Sequence, residues 1–301
     1  MTGPSEERSA ERAAQKGIRS AMTGIVVNAL LALVKGIAGF IGNSYALIAD
    51  AIESASDVVS SLIVVSGLRI AAKPRDENHP YGHGKAEPIA AVIVALSLFG
   101  AALTIITQSY HEIVTPHHAP APFTLIVLII VVLTKEALFR SVFRVAEEVQ
   151  STAVRTDAWH HRSDAITSAA AFIGISLALI GGDGFESADD WAALFASVII
   201  IYNAYALFRP ALDEIMDAAP PADMIAQVRA AAGAVPGVLG LDKCYVRKMG
   251  LEYFVDLHVV VNGSSTVREG HRIGHDVKDA ICRALPRIAD VMVHVEPDSF
   301  E

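Results

Sequence analysis

Cysteine, charge and basic residues are all scarce in this chain. It has two cysteines in 301 residues, which excludes a disulfide scaffold. Cys244 and Cys282 form no CxxC pair and read as reduced cytosolic thiols. Charged residues make up 19%, against about a quarter in an ordinary soluble domain. Lys and Arg number 24 against 33 Asp and Glu, a net charge of −9, which argues against a nucleic-acid partner. No P-loop pattern occurs, which removes an ATP-driven pump. His111-Glu112-Ile113-Val114-Thr115 starts like HExxH but has Thr where the second His must stand, so a zinc hydrolase fails too. Residues 1–17 are polar and charged, so no secretory leader is expected.

Apolar residues make up 52% of the chain, far too many for disorder. They are concentrated in six stretches, at about 20–41, 45–70, 88–111, 123–145, 152–181 and 187–209. Each reaches the roughly 20 helical residues that cross 30 Å of hydrocarbon. Backbone groups in lipid must be satisfied within the segment, so these are expected to be helices. The run from Phe123 to Leu133, broken only by Thr124, is too continuous for a surface helix. Buried helices of a large soluble protein are the rival reading.

Loop charges predict the orientation. Arg8, Arg12, Lys16 and Arg19 precede the first stretch, and Arg69, Lys73, Arg75 and Lys85 follow the second. Arg140, Arg144 and Arg155 flank the junction between the fourth and fifth. The loops at 42–44, 112–122 and 182–187 hold no Lys or Arg. Both termini are therefore expected on the cytoplasmic side.

Composition changes near residue 213. Residues 222–234 and 265–285 read as helices, and 241–248, 252–261 and 290–296 read as strands. In the second strand Tyr253, Val255, Leu257 and Val259 alternate with Asp256 and His258. The expected fold is thus an α-helical membrane protein with six transmembrane helices plus a cytoplasmic α+β domain of order αββαβ. Its parts are a polar tail (1–19), a membrane domain (20–212) and a cytoplasmic domain (213–301).

Acids inside the apolar stretches carry the functional signal. Asp50, Glu53 and Asp57 fall within about 60° of one another on a helix, with Glu53 and Asp57 at i, i+4. His160 and Asp164 repeat that spacing in the fifth stretch. Facing each other, Glu53, Asp57, His160 and Asp164 give four ligands, which suits a tetrahedral divalent cation. A carboxylate at mid-bilayer costs roughly 2.5–3.5 kcal/mol, and a bound cation or protons would remove that cost. Asp50 reads as a supporting residue and His161 as a neighbour. The alternative is that the acids pair with Lys35, Lys135 or Arg162.

These residues resemble the cation diffusion facilitators, a family of divalent metal/proton antiporters. The resemblance covers nearly the whole chain after residue 20. It rests on Asn28, Lys35 and Gly39, on the Ala49–Asp57 stretch, on His160-x-x-x-Asp164, and on the His79-Pro80-Tyr81-Gly82-His83-Gly84-Lys85-Ala86-Glu87 loop. One departure is Glu53, where the family usually has Asp or His. Three carboxylates and one imidazole suit Zn²⁺, Fe²⁺, Co²⁺ or Mn²⁺, and Cd²⁺ is a further candidate cargo.

The resemblance implies a metal cargo (Zn²⁺ first), protons as counter-substrate, a homodimer and a bacterial inner membrane. It implies a second metal at Asp76 and His83, with His79 beside them in the loop. It pairs Lys85 with Asp217 as a hinge, and it places a regulatory metal site at His258, His271, His294, Glu296 and Asp242. The expected function is metal efflux by alternating access, not enzymatic catalysis. A metal-sensing or scaffolding member that transports nothing is the alternative.

Overall fold

The structure, a computed structural model, describes residues 4–41, 45–114, 122–181 and 188–298. It divides into two units. One holds Gln15–Ile70 and Ala86–Leu212; the other holds Met1–Ala14, Ala71–Lys85 and Asp213–Glu301.

Among the described residues, six long helices come first: α1 (Pro4–Ile41), α2 (Tyr45–Ala71), α3 (Ala86–Val114), α4 (Thr124–Val149), α5 (Thr152–Gly181) and α6 (Ala188–Ile215). α1 starts at Pro4, well inside the segment expected to be a polar tail. Its Glu, Arg, Ala, Gln and Lys residues are strong helix formers and continue the helix. Among the described residues, Arg12–Ile37 and Ala86–His111 are each long and apolar enough to cross a membrane on their own. The acids, histidines and arginines that interrupt α2 and α5 lower their apolar content.

The helical unit is inverted relative to a soluble protein. Val26, Leu30 and Leu33 of α1, Leu103 of α3, Ile126 and Leu133 of α4 and Phe195 of α6 are exposed. Asn28, Lys35, Asp57, Lys135, Asp157, His160 and His161 are buried. Apolar residues outward and ionisable residues inward is the pattern expected of helices solvated by lipid. α2, α4 and α5 pack through one apolar cluster that includes Val64, Leu68, Leu138, Val142, Ala153, Val154 and Ala158.

The start of α5 is fixed by a buried carboxylate. Gln150 turns the chain in the left-handed region (φ 52°) and its N–H bonds back to Ala146 O, ending α4. Glu87 Oε1, fully buried at the start of α3, then accepts from Ser151 Oγ (2.6 Å) and from the Ala153 N–H (2.7 Å). A carboxylate is favourable at a helix N-terminus, where N–H groups lack partners.

The second unit contains α7 (Ala222–Gly233), β1 (Gly240–Met249), β2 (Glu252–Val261), α8 (Val267–Ala284) and β3 (Ile288–Pro297). The sheet order is β1-β2-β3, with β1 antiparallel and β3 parallel to β2. Val255, Leu257, Val259 and Val261 point into a core shared with Val228 and Ala232 of α7 and Ile273, Val277 and Ile281 of α8. The opposite face carries Asp256, His258 and Val260. Thr266 and Glu269 form a reciprocal capping box that starts α8.

The 71–85 loop belongs to this unit. Arg75 stacks on the Phe254 ring at 5.0 Å, and Tyr81 meets it edge-on at 6.1 Å. Gly84 lies against the Met249 carbonyl so closely that a Cβ would overlap it, and Gly250 takes φ +66° beside it. Lys85 Nζ donates to Glu214 O (3.0 Å), Ile215 O (2.9 Å) and Asp217 Oδ1 (2.6 Å). The expected Lys85–Asp217 pair is therefore present in the geometry.

Candidate metal centre

α5 carries Asp157, His160, His161 and Asp164 at i, i+3, i+4 and i+7, a single stripe on one face. α2 presents Asp57 and Ser61 one turn apart. The two stripes meet. His160 Nε2 lies 2.7 Å from Asp57 Oδ1. Asp57, His160 and Asp164 can each offer a ligand atom, all within 4.8 Å of one another. Asp57 is 2% exposed and His160 6%.

A fourth participant comes from α4. Lys135 Nζ donates to Asp57 Oδ2 (2.6 Å) and to Asp164 Oδ2 (2.8 Å). Lys135 is 0% exposed. The sequence names it only as one possible partner of the acids. Its signal is a lysine just beyond an apolar run, the kind of position that raises a functional-site hypothesis in a membrane helix. Among the described residues, Lys35 donates to Ser54 Oγ at 2.9 Å, and Arg162 lies over the Phe139 ring at 4.5 Å. The side chains of Asp50 and Glu53 lie outside the described residues.

His161 does not join the cluster. It lies with Asp157 on the neighbouring turn, Nε2 to Oδ2 at 3.8 Å, too far for a hydrogen bond. Asp157 Oδ1 accepts from Ser61 Oγ at 2.9 Å. Gly24 of α1 faces this layer, since a Cβ there would stand 3.1 Å from His161 Nε2.

The loop brings Asp76, His79 and His83 within ligand reach of one another. His79 Nδ1 is 3.0 Å and His83 Nε2 3.4 Å from the Asp76 carboxylate. The family resemblance pairs Asp76 with His83 and sets His79 beside them. The backbone turn, in which the His79 N–H donates to Asp76 Oδ1 at 2.7 Å, brings all three together. Desolvation would raise the Asp76 pKa, but hydrogen bonds from the His79 main chain and ring, with the charges of His79 and His83, hold it below the usual value.

On the sheet, His258 of β2 pairs in register with His294 of β3. His258 Nδ1 lies 2.6 Å from Glu296 Oε1, and His294 Nε2 lies 3.7 Å from the same atom. These three form the third ligand-capable group. Asp242 and His271 fall outside it. His271 sits on α8 with its ring 4.6 Å from that of His275, because α8 turns Ile273, Val277 and Ile281 to the sheet instead. At Asp242, the backbone carbonyl accepts from Arg229 at 3.0 Å.

Outward apolar helices around a ligand-rich interior define an integral membrane protein. The family follows from the sequence itself. Residues 21–216 match the cation efflux transmembrane domain, and residues 220–298 match the cytoplasmic domain of cation efflux proteins. The chain belongs to the cation diffusion facilitator family. It is 31% identical over 281 residues to the manganese efflux system protein MneP of Bacillus subtilis (strain 168), covering 92% of this chain and 95% of that one. It is 30% identical over 282 residues to the cation-efflux pump FieF of Escherichia fergusonii, covering 93% of each. It is also 30% identical over 264 residues to the magnetosome protein MamB of Magnetospira sp. (strain QH-2), covering 87% and 89%. A solved structure, MamM-CTD 215-293, matches 25% of this chain and 95% of its own at 29% identity and a TM-score of 0.25.

Proposed function

We propose that the protein exports a divalent transition metal across a membrane by proton-coupled antiport. The observation that carries this is the convergence of Asp57, His160 and Asp164 inside the helical unit of a cation diffusion facilitator. Glu53, one turn before Asp57 in the sequence of α2, is assigned as the fourth ligand, the number a tetrahedral cation takes. Six membrane-spanning helices, α1 to α6, with both termini in the cytoplasm, suit the loop charges and the outward apolar faces. A bacterial inner membrane is the setting of this reading.

The chemistry follows from the ligands. Ionised carboxylates and a neutral imidazole capture the ion on the cytoplasmic side. Rocking of the helices exposes the centre to the other side. Protons then compete for the same lone pairs and release the metal, and the protonated site returns. Zn²⁺ is the first cargo to test. Mn²⁺, the ion for which the Bacillus subtilis relative is named, stands beside it, with Fe²⁺, Co²⁺ and Cd²⁺.

Asp76, His79 and His83 hold a metal in the loop. His258, His294 and Glu296 hold one on the sheet, with Asp242 and His271 joining only if the domain rearranges or dimerises. Metal there draws two protomers together and biases the cycle, and the Lys85–Asp217 pair acts as the hinge of that movement.

The test is a panel of these metals in proteoliposomes with an imposed pH gradient. Metal-driven proton flux for at least one ion supports antiport. Binding of metal with no flux for any ion would favour a scaffolding or sensing role.

A further inference from the structure

α4 is apolar from Leu125 to Leu133, and a lysine two residues further on is costly unless something holds it. The metal centre holds it. Lys135 Nζ bridges Asp57 of α2 and Asp164 of α5 at 2.6 Å and 2.8 Å. An ammonium has three donors and no acceptor, so it cannot itself ligate a metal. A divalent ion ligated by Asp57 and Asp164 would sit about 2.0–2.2 Å from their oxygens. The ammonium and the ion therefore compete for the same two carboxylates.

We propose that Lys135 is a tethered competitor of the cargo, a cation built into the chain that takes Asp57 and Asp164 when the metal leaves and must be displaced when it binds. This rests on reading those residues as the transport centre. Two consequences follow from charge. Facing carboxylates without a cation repel strongly in apolar surroundings, and the lysine removes that repulsion while the emptied carrier resets. The same lysine lowers net metal affinity, which favours release, because a carrier that binds too tightly turns over slowly.

A displaced ammonium needs a new partner, since an unpaired buried charge is costly. Asp157 supplies one. It is fully buried, and its Oδ2 has no hydrogen-bond partner among the described residues. It lies one turn before His160 and His161 on the same stripe, and the four-carbon stem of lysine lets Nζ move while Cα stays in place.

The experiment is calorimetric titration of the purified full-length chain in detergent with Zn²⁺ alone. The readout is the binding component that Asp57→Ala removes. Lys135→Gln is expected to tighten that component by about tenfold or more, the equivalent of one charge-assisted hydrogen bond. Lys135→Arg, a cation with a bidentate fork for carboxylates, is expected to weaken it by about tenfold. Asp157→Asn is expected to weaken it in the native background and to have no effect once Lys135→Gln is present. Unchanged or weaker binding in Lys135→Gln overturns the competition, and should that variant fail to fold, equal or tighter binding in Lys135→Arg does so. An equal effect of Asp157→Asn in both backgrounds overturns its receiving role. A Zn²⁺ isotherm untouched by Asp57→Ala overturns the transport-centre reading, and the competition with it.

Discussion

Glu87 accepts a 2.6 Å hydrogen bond from Ser151 Oγ, and through it the start of α3 sets the start of α5. The same oxygen takes the Ala153 N–H, so one carboxylate fixes the first turn of the helix that carries His160 and Asp164. Both donors are buried.

Glu87→Ala should therefore destabilise the protein by about 1–3 kcal/mol, since it leaves buried donors unpaired. It should also slow transport without changing which metal is carried. Thermal unfolding in detergent and initial rates in proteoliposomes read the two effects. An unchanged unfolding temperature would show that the clamp adds nothing.

His160 and His161 are adjacent but should behave differently. If His160 ligates the cargo as proposed, His160→Ala should bring flux to background. His161→Ala removes only a neighbour of the Asp157 layer and should cost about tenfold, as supporting groups around metal sites do. Equal losses in flux would contradict the assignment of His160 to the centre.

Gly84→Ala tests the packing of the loop on the β1–β2 turn. Its Cβ would collide with the Met249 carbonyl, and backbone cannot swing aside as a side chain can. A loss of roughly 1–3 kcal/mol is expected from this overpacking. Protease cleavage within 71–85 should accelerate together with the drop in unfolding temperature. Gly100→Ala, which meets nothing within 4 Å, is the control: it should leave cleavage within 71–85 unchanged and should not lower the unfolding temperature, since Ala is the better helix former in α3.

The pH dependence of the second unit has a definite sign. Partial desolvation would raise the Asp290 pKa, but the hydrogen bond and charge of Lys278, with help from the Val291 N–H and Arg75, hold it below its usual value. A lowered folded-state pKa adds stability above the unfolded value of about 3.9 and loses it as pH falls through the folded one. Asp290→Asn should thus unfold at lower temperature near neutral pH, and the gap should close below about pH 4. The pair is partly exposed, so the gap should be small and should shrink in salt. A gap that widens in acid would refute the pairing.

The sheet site should regulate transport without performing it. His258→Ala with His294→Ala is expected to leave a residual flux and to change its dependence on metal concentration. Complete loss of flux in a folded double variant would contradict that division of labour.

Much of the centre was legible because helical spacing is rigid. Asp57 faces one way on α2, and His160 and Asp164 share a face of α5, so their meeting needed only two helices to pack. Lys135 was harder to place. A lysine beyond an apolar run signals function but does not say which acids it will meet, since that depends on how α4 packs. His79 joined the loop group through a backbone turn at Asp76 that spacing alone does not reveal. His271 fell apart from His258 because the apolar stripe of α8 decides which way that helix faces. In β2 the alternation of Val255, Leu257 and Val259 with Asp256 and His258 marked both faces directly.

The most direct test of the central claim compares initial rates of Zn²⁺ and Mn²⁺ transport into proteoliposomes for the native chain and Asp57→Ala, under a fixed pH gradient. Metal-dependent flux is expected in the native protein and background flux in Asp57→Ala, with both proteins folded. Native flux retained in Asp57→Ala would contradict that claim.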